Sequence, residues 1–298
     1  MRILITALVT LFVQQASAMN SFTIYAFKSS VGVNWKSPKS LAASVVKNEA
    51  MRYFNGNQRL LGHVSIKLTC GDKSLITGMT SRDGETKRVV LKEHAGLGVL
   101  FHIFPGELES EEKLSNEIAI KRRRGQVHSM TYLISDDACK KMFDHYENFV
   151  EKLGMHNYGF PVDTLAGEGA GCSAFGVSFL QAAGVADSEH LKAWSGSVWV
   201  PKKYIGPYSS KKYIDGEQEP YDHNEGGDDV KLIPLILKPG KTSWAKPNEP
   251  GAKFLSFFDP DTMFRWVKKL DKKWDKNSNY QKRRFNKSID LIFDYRDR

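Results

Sequence analysis

Residues 167–184 read GEGAGCSAFGVSFLQAAG, a glycine-rich approach followed by an apolar run with Cys172 at its head. The apolar run predicts a buried helix that Gly184 ends as a C-cap, and the glycines predict a loop that delivers the thiol to the helix N-terminus. Unpaired backbone N–H groups and the helix dipole favour the thiolate there and lower the thiol pKa. Far upstream, residues 62–68 read GHVSIKL and set His63 at the head of a strand. A thiol at a helix head and an imidazole able to take its proton are the two parts of a thiolate nucleophile. This pairing points to an enzyme.

Working outward, His63 to Cys70 alternates as a strand, Gly71-Asp72 supplies a turn, and Ser74 to Thr80 returns. Phe22 to Phe27, Val89 to Leu91, Val99 to Ile103 and Val127 to Ile134 also read as strands. Helices are expected from Ser37-Pro38 to about Tyr53, from Glu109 to Ile120, from Asp136 to Leu153, from Asp187 onward, and from Asp259 to Trp274. Tyr204 to Asp229 is rich in Gly, Tyr, Lys and acids and reads as loop; Val230 to Leu237 reads as an edge strand containing Pro234. The class is α+β with an antiparallel sheet.

The N-terminus has the pattern of a secretory leader. Arg2 provides positive charge, Ile3 to Val13 is apolar but too short to span a bilayer, and Ala16-Ser17-Ala18 is a cleavage site. The expected organisation is a leader over 1–18, one domain over 19–240, and a basic helical extension over 241–298, with the product secreted or periplasmic. The net charge of +9 favours anionic surroundings such as wall polymer, phospholipid or nucleic acid, and selects none of them. Of the three cysteines, Cys139 shares an amphipathic face with Met142, Tyr146, Phe149 and Leu153 and reads as core, and Cys70 closes a strand. Whether those two pair is left open by the sequence; an odd count leaves one thiol over in an oxidising compartment.

Two segments carry a family resemblance. HVSIKLTCGDKSLITG resembles the histidine strand and hairpin of NlpC-type cell-wall cysteine peptidases. YGFPVDTLAGEGAGCSAFGVSFLQAAG resembles their nucleophile segment, through Tyr158, Gly159, Pro161, Cys172, Ser173 and Gly184. Here the histidine precedes the cysteine, an order similar to that of the circularly permuted papain-like enzymes, which include lecithin retinol acyltransferase-like proteins. The resemblance covers about residues 60–80 and 156–185. It implies a papain-like antiparallel sheet with a nucleophile helix packed on it, no cofactor, Cys172 as nucleophile, His63 as general base, and Tyr158 and Ser173 lining the substrate site. The third polar position of the family falls on Thr77, where the family usually carries His, Asn or Gln. A register slip would give Thr80, and His102 is a further candidate. The residue before the cysteine is Gly171, where the family often has Asp.

The expected function is an exported thiol hydrolase that cleaves an amide of a cell-wall peptide through an acyl-enzyme. The alternatives are a lipid-ester or lipid-amide hydrolase or acyltransferase, and a wall- or membrane-binding module with a decayed site. The basic tail could reach an anionic polymer or membrane, and export argues against a nucleic-acid target. Lys121 to Arg124 and the acidic stretch from Asp215 to Asp229 read as solvated loops. No zinc-ligand spacing, P-loop or dinucleotide fingerprint is present, and no metal is expected.

Overall fold

The strand β1 (Ser21–Phe27) is buried along nearly its whole length because it has a covered neighbour on both faces of its sheet. Phe22, Ile24 and Ala26 enter the main core, while Tyr25 and Phe27 join a separate cluster with Leu114, Ile118 and Val127. Such two-sided burial removes the alternation of polar and apolar residues that a half-exposed strand shows. A computed structural model describes residues 19–55, 61–82, 89, 93–214, 217–224, 228–237 and 239–297. The expected leader, and all of the strand expected at 89–91 except Val89, lie outside the described residues.

After α1 (Pro38–Asn55) come β2 (His63–Cys70) and β3 (Lys73–Ser81), a hairpin turning at Gly71-Asp72. A 3₁₀ turn over Leu97–Phe101 precedes β4 (Phe104–Leu108). Then follow α2 (Glu111–Arg124), β5 (Val127–Ile134), α3 (Asp136–Glu151) and β6 (Asn157–Tyr158). The glycine-rich approach leads into α4 (Cys172–Ala182), followed by α5 (Ser188–Trp194) and β7 (Ser195–Val200). The remainder comprises β8 (Ser209–Ile214), β9 (Glu217–His223), α6 (Leu232–Leu237), β10 (Lys253–Phe258), α7 (Pro260–Lys273), β11 (Tyr280–Phe285) and β12 (Ser288–Tyr295). Among the described residues no helix is long and apolar enough to cross a membrane.

The principal sheet has eight strands in the order β11-β12-β5-β1-β2-β3-β4-β6. Helices α3, α4 and α7 fill the main core on one face through Met142, Phe149, Phe175, Phe179, Met263 and Val267, and α2 covers the other. Two small sheets, β7 with β10 and β8 with β9, lie apart from it in pairing. The class is α+β, as the periodicities suggest, but the sheet is mixed: β12 runs parallel to β5.

Several local expectations change. The C-terminal region is not a helical extension, because β10 pairs with β7 and β12 enters the main sheet. Ile289, Leu291, Phe293 and Tyr295 are buried there, a period of two that the surrounding lysines and arginines conceal. The stretch from Tyr204 to Asp229, expected as loop, contains the β8–β9 hairpin, and residues 232–237 form a helical turn instead of an edge strand. Val99 to Ile103 is not a strand; pairing starts at Phe104. The helix expected from Glu109 starts two residues later, because Ser110 caps it by accepting from the Lys113 N–H. Glu109 is thereby left outside the helix.

A disulfide joins Cys70, at the end of β2, to Cys139 in α3. Cys172 is the free thiol, and it is buried.

Candidate active site

Helix α4 meets the sheet at a glycine. A Cβ on Gly176 would stand 2.7 Å from Cγ1 of Val64, so only a residue without a side chain lets the helix come this close to β2. Gly176 lies one turn after Cys172, and Val64 follows His63. This contact therefore sets Cys172 at the start of β2. Gly171, in extended conformation, is the N-cap and offers no side-chain acceptor to the first turn. The early N–H groups of α4 have no carbonyl partner within the helix.

The thiol of Cys172 is hydrogen-bonded to the side chains of His63 and Tyr158 and to the backbone of Val64. Burial alone would raise its pKa. The His63 hydrogen bond and charge, then Val64 and Tyr158, outweigh burial and bring the thiol from 9.0 down to about 7. A thiol at that position is about half thiolate at neutral pH while keeping nucleophilicity.

On the far side of the imidazole, Nε2 of His63 lies 2.6 Å from Oε2 of Glu109. Both side chains are removed from water, at 4% and 0% exposure for His63 and Glu109. A buried carboxylate needs a charged or strongly donating partner, and a ring N–H pointing at it answers that need. Nε2 being so engaged, Nδ1 is the nitrogen left for the thiol. The ring of Phe27 packs at 5.7 Å from that of His63.

Glu109 is held by its backbone. Its N–H donates to the Gly78 carbonyl at 2.9 Å, and its carbonyl accepts from the Thr77 hydroxyl at 3.1 Å. Gly78 also leaves room for the carboxylate, since a Cβ there would stand 2.9 Å from Oε2. The carboxylate thus lies against β3 opposite the strand that carries His63.

Four of the sequence-derived candidates have clear positions. Cys172 and His63, 109 residues apart, are in contact. Tyr158, on β6 beside Phe104, reaches the thiol. Ser173 is buried with its hydroxyl 3.9 Å from Cys172 Sγ. Thr77 is the correction: the imidazole is backed by Glu109, and Thr77 acts one step away by bonding the Glu109 carbonyl. The physical reason is charge, since a carboxylate stabilises a protonated ring and a hydroxyl does not. Thr80 pairs with Glu107 on β4, and His102 packs its ring 4.6 Å from Phe104.

Glu109 was missed because FPGELESEEKL reads as an acidic helix start. The signal that could have found it is Ser110 followed by Glu111 and Glu112. Recognising that serine as the cap would have left Glu109 at a strand end. Among the described residues no group of three His, Cys, Asp or Glu side chains is arranged to hold a metal ion. Comparison of the chain with protein-family models, with curated proteins and with solved structures finds no match in any of the three.

Proposed function

We propose that the protein is an exported cysteine hydrolase that cleaves an amide of a cell-wall peptide, built on a circularly permuted papain-like arrangement. The observation that carries this reading is the unbroken contact from Cys172 through His63 to Glu109, with the thiol held near neutrality. The thiolate attacks the amide carbonyl, a C–S bond forms, and the carbonyl π electrons move to oxygen. The backbone N–H of Cys172 at the head of α4 is a donor for that oxyanion. Collapse breaks the C–N bond, and the amine leaves with a proton from His63. Water, deprotonated by His63, then attacks the thioester, and the thiolate departs. Glu109 keeps the ring oriented and stabilises its protonated form.

The order His63, Glu109, Cys172 along the chain supports a permuted topology, because the same constellation can be assembled from different chain orders. Export is supported by the leader pattern and by the Cys70–Cys139 disulfide, a bond that persists in oxidising compartments. The basic surface is assigned a supporting role, holding the enzyme on anionic wall polymer or membrane.

The test incubates wild type and Cys172→Ser with purified sacculi and, separately, with phospholipid vesicles, and reads products by mass spectrometry. New peptide termini from sacculi that require Cys172 are the expected result. Release of acyl chains from vesicles alone would move the substrate to lipid esters or amides. No product from either, with a thiol inert to iodoacetamide at pH 7, would remove the enzyme reading.

A further inference from the structure

Two basic runs meet at one edge of the principal sheet. Lys121 to Arg124 closes α2, and Lys282, Arg283, Arg284 and Lys287 lie on β11 and its turn into β12. The Ser288 hydroxyl donates to the Arg122 carbonyl at 3.0 Å, a contact between positions 166 residues apart. Gly125 ends α2 in the left-handed region, at φ 65°, and a Cβ there would stand 3.0 Å from that of Lys287. Phe285 ties the runs together: the guanidinium carbons of Arg122 and Arg283 lie 4.6 and 4.8 Å from its ring centre. The Lys28 N–H donates to the Gln126 carbonyl at 3.1 Å, which brings a further lysine to the same corner.

Carboxylates balance only part of this charge. Asp290 binds Arg283, and Asp271 binds Lys282 and Arg284. Arg283 and Arg284 still keep 56% and 61% of their side chains in water, and each guanidinium has donors to spare. Lys28, Arg123, Arg124 and Lys287 are exposed and have no acidic partner among the described residues. A helix C-terminus favours a cation, and an edge strand carries lysine and arginine to deter pairing. Neither need requires the two runs to converge. Their convergence concentrates positive potential at one place on the surface, where it attracts an anion.

We propose that this corner is a docking surface for an anionic wall polymer whose charges are a row of phosphates. Guanidinium forks match phosphate oxygens in pairs, and stacking on Phe285 holds two of the forks in place before the ligand arrives. Arg283 to Lys287 extends up to about 13 Å along the chain, longer than one phosphate and suited to several in a row. A bilayer is the poorer fit, because the aromatic ring at the centre is half-buried between two guanidiniums and is not free to enter lipid. In the sheet β11 stands four strand spacings from β2, about 19 Å, so a polymer docked here lies clear of His63. The inference gives the supporting role of the basic surface a place and a ligand chemistry, and it does not depend on Cys172 being the nucleophile.

The probe is long-chain inorganic polyphosphate, titrated at salt concentrations from about 50 to about 200 mM, with phosphatidylglycerol vesicles as the second arm. Wild type should bind polyphosphate with a log affinity that falls linearly with log salt. Arg123→Gln, Arg124→Gln and Lys287→Gln together, all at exposed positions where substitution spares the fold, should lower that slope by about 2, at about 0.7 per cation removed. Lys36→Gln, Lys47→Gln and Lys241→Gln remove the same net charge from exposed positions on other elements and should keep the wild-type slope. Equal losses in the two triple variants would show that binding follows net charge, and would overturn the surface. So would the absence of polyphosphate binding at about 50 mM salt. Vesicle capture that needs Arg123, Arg124 and Lys287 while polyphosphate stays unbound would assign the corner to lipid and overturn the polymer. Cys172→Ser should bind polyphosphate as wild type does, so a failed cleavage assay with binding intact counts against the hydrolase reading alone.

Discussion

Replacing Glu109 by Gln keeps the size and one acceptor oxygen and removes a negative charge 2.6 Å from Nε2 of His63. A hydrogen bond to a charged group contributes about 1.5–3 kcal/mol and a neutral one about 0.5–1.5, so the exchange alone weakens the imidazolium by about 1–2 kcal/mol. Loss of the direct attraction between charges about 4 Å apart, about 4 kcal/mol at an effective dielectric of 20, sets the upper scale. Both losses fall on the thiol, because His63 is what holds Cys172 at about 7 against the upward push of burial. One step of about 1.4 kcal/mol is tenfold in the ionisation constant, which from a half-ionised thiol is a fall of about fivefold in thiolate. A full return to 9.0 leaves about one thiol in a hundred ionised at pH 7, a fall of about fiftyfold. Iodoacetamide alkylation of Cys172 at pH 7 should therefore slow by between about fivefold and fiftyfold, and the two rates should converge at high pH, where ionisation no longer limits. A Glu109→Gln protein with unchanged melting temperature that alkylates within twofold of wild type at pH 7 would refute the coupling of carboxylate, ring and thiol.

Non-reducing peptide maps should show Cys70 joined to Cys139. Removing both by Cys70→Ser and Cys139→Ser should lower stability in urea by about 4 kcal/mol, the loop entropy for a separation of 69 residues. Gly176→Val would press a side chain into Val64, which a Gly176 Cβ already approaches to 2.7 Å; about 1–3 kcal/mol of overpacking and slower Cys172 alkylation are expected, and an unchanged melting temperature would count against this contact setting the thiol. Burial beside Phe264 pushes His128 down to about 4, with Nδ1 accepting the Ile289 N–H at 3.2 Å. The folded ring is neutral where the unfolded ring, near 6.5, takes a proton, so the unfolded state holds more protons between pH 6.5 and 4 and stability falls with acid across that window, by about 3 kcal/mol. His128→Gln should flatten that limb in urea titrations at pH 6.5, 5.5 and 4.5, and an unaltered slope would contradict the assignment.

The parts of the site that were legible are those with local chemistry. The β2–β3 hairpin reads from its alternation and its Gly71-Asp72 turn, and α4 reads from a glycine-rich loop opening on an apolar run. Their boundaries fall within a residue or two of expectation. The contact between Cys172 and His63 was expected on chemical grounds, since under the proposed function a nucleophile and its base must touch. Glu109 obeys no such local rule. Its role depends on Ser110 ending the strand side of the chain and on Gly78, thirty-one residues earlier, lacking a side chain. The C-terminal strand was hidden for a different reason. Lys282 and Arg284 pair with Asp271, and Arg283 pairs with Asp290. A basic composition there fastens β11 to its neighbours, whereas composition alone suggests a solvated extension.

The charge balance of the site explains why a carboxylate stands where a hydroxyl was expected. With Cys172 ionised and His63 protonated, a buried ion pair must be held in a medium that penalises both charges. Thr77 at the ring would have added one weak dipole and left the imidazolium with only the thiolate to stabilise it. Glu109 supplies a full charge at the opposite nitrogen, so the ring is bracketed by two anions. The excess negative charge then rests on sulfur, where the Val64 backbone, the Tyr158 hydroxyl and the open end of α4 face it. Under the proposed function, the same donors would follow negative charge as it moves from sulfur to the carbonyl oxygen of a bound amide. On this account Thr77 remains necessary, one bond removed from the chemistry. Without its hydroxyl the Glu109 carbonyl loses a partner, and the carboxylate loses part of what holds it 2.6 Å from the ring.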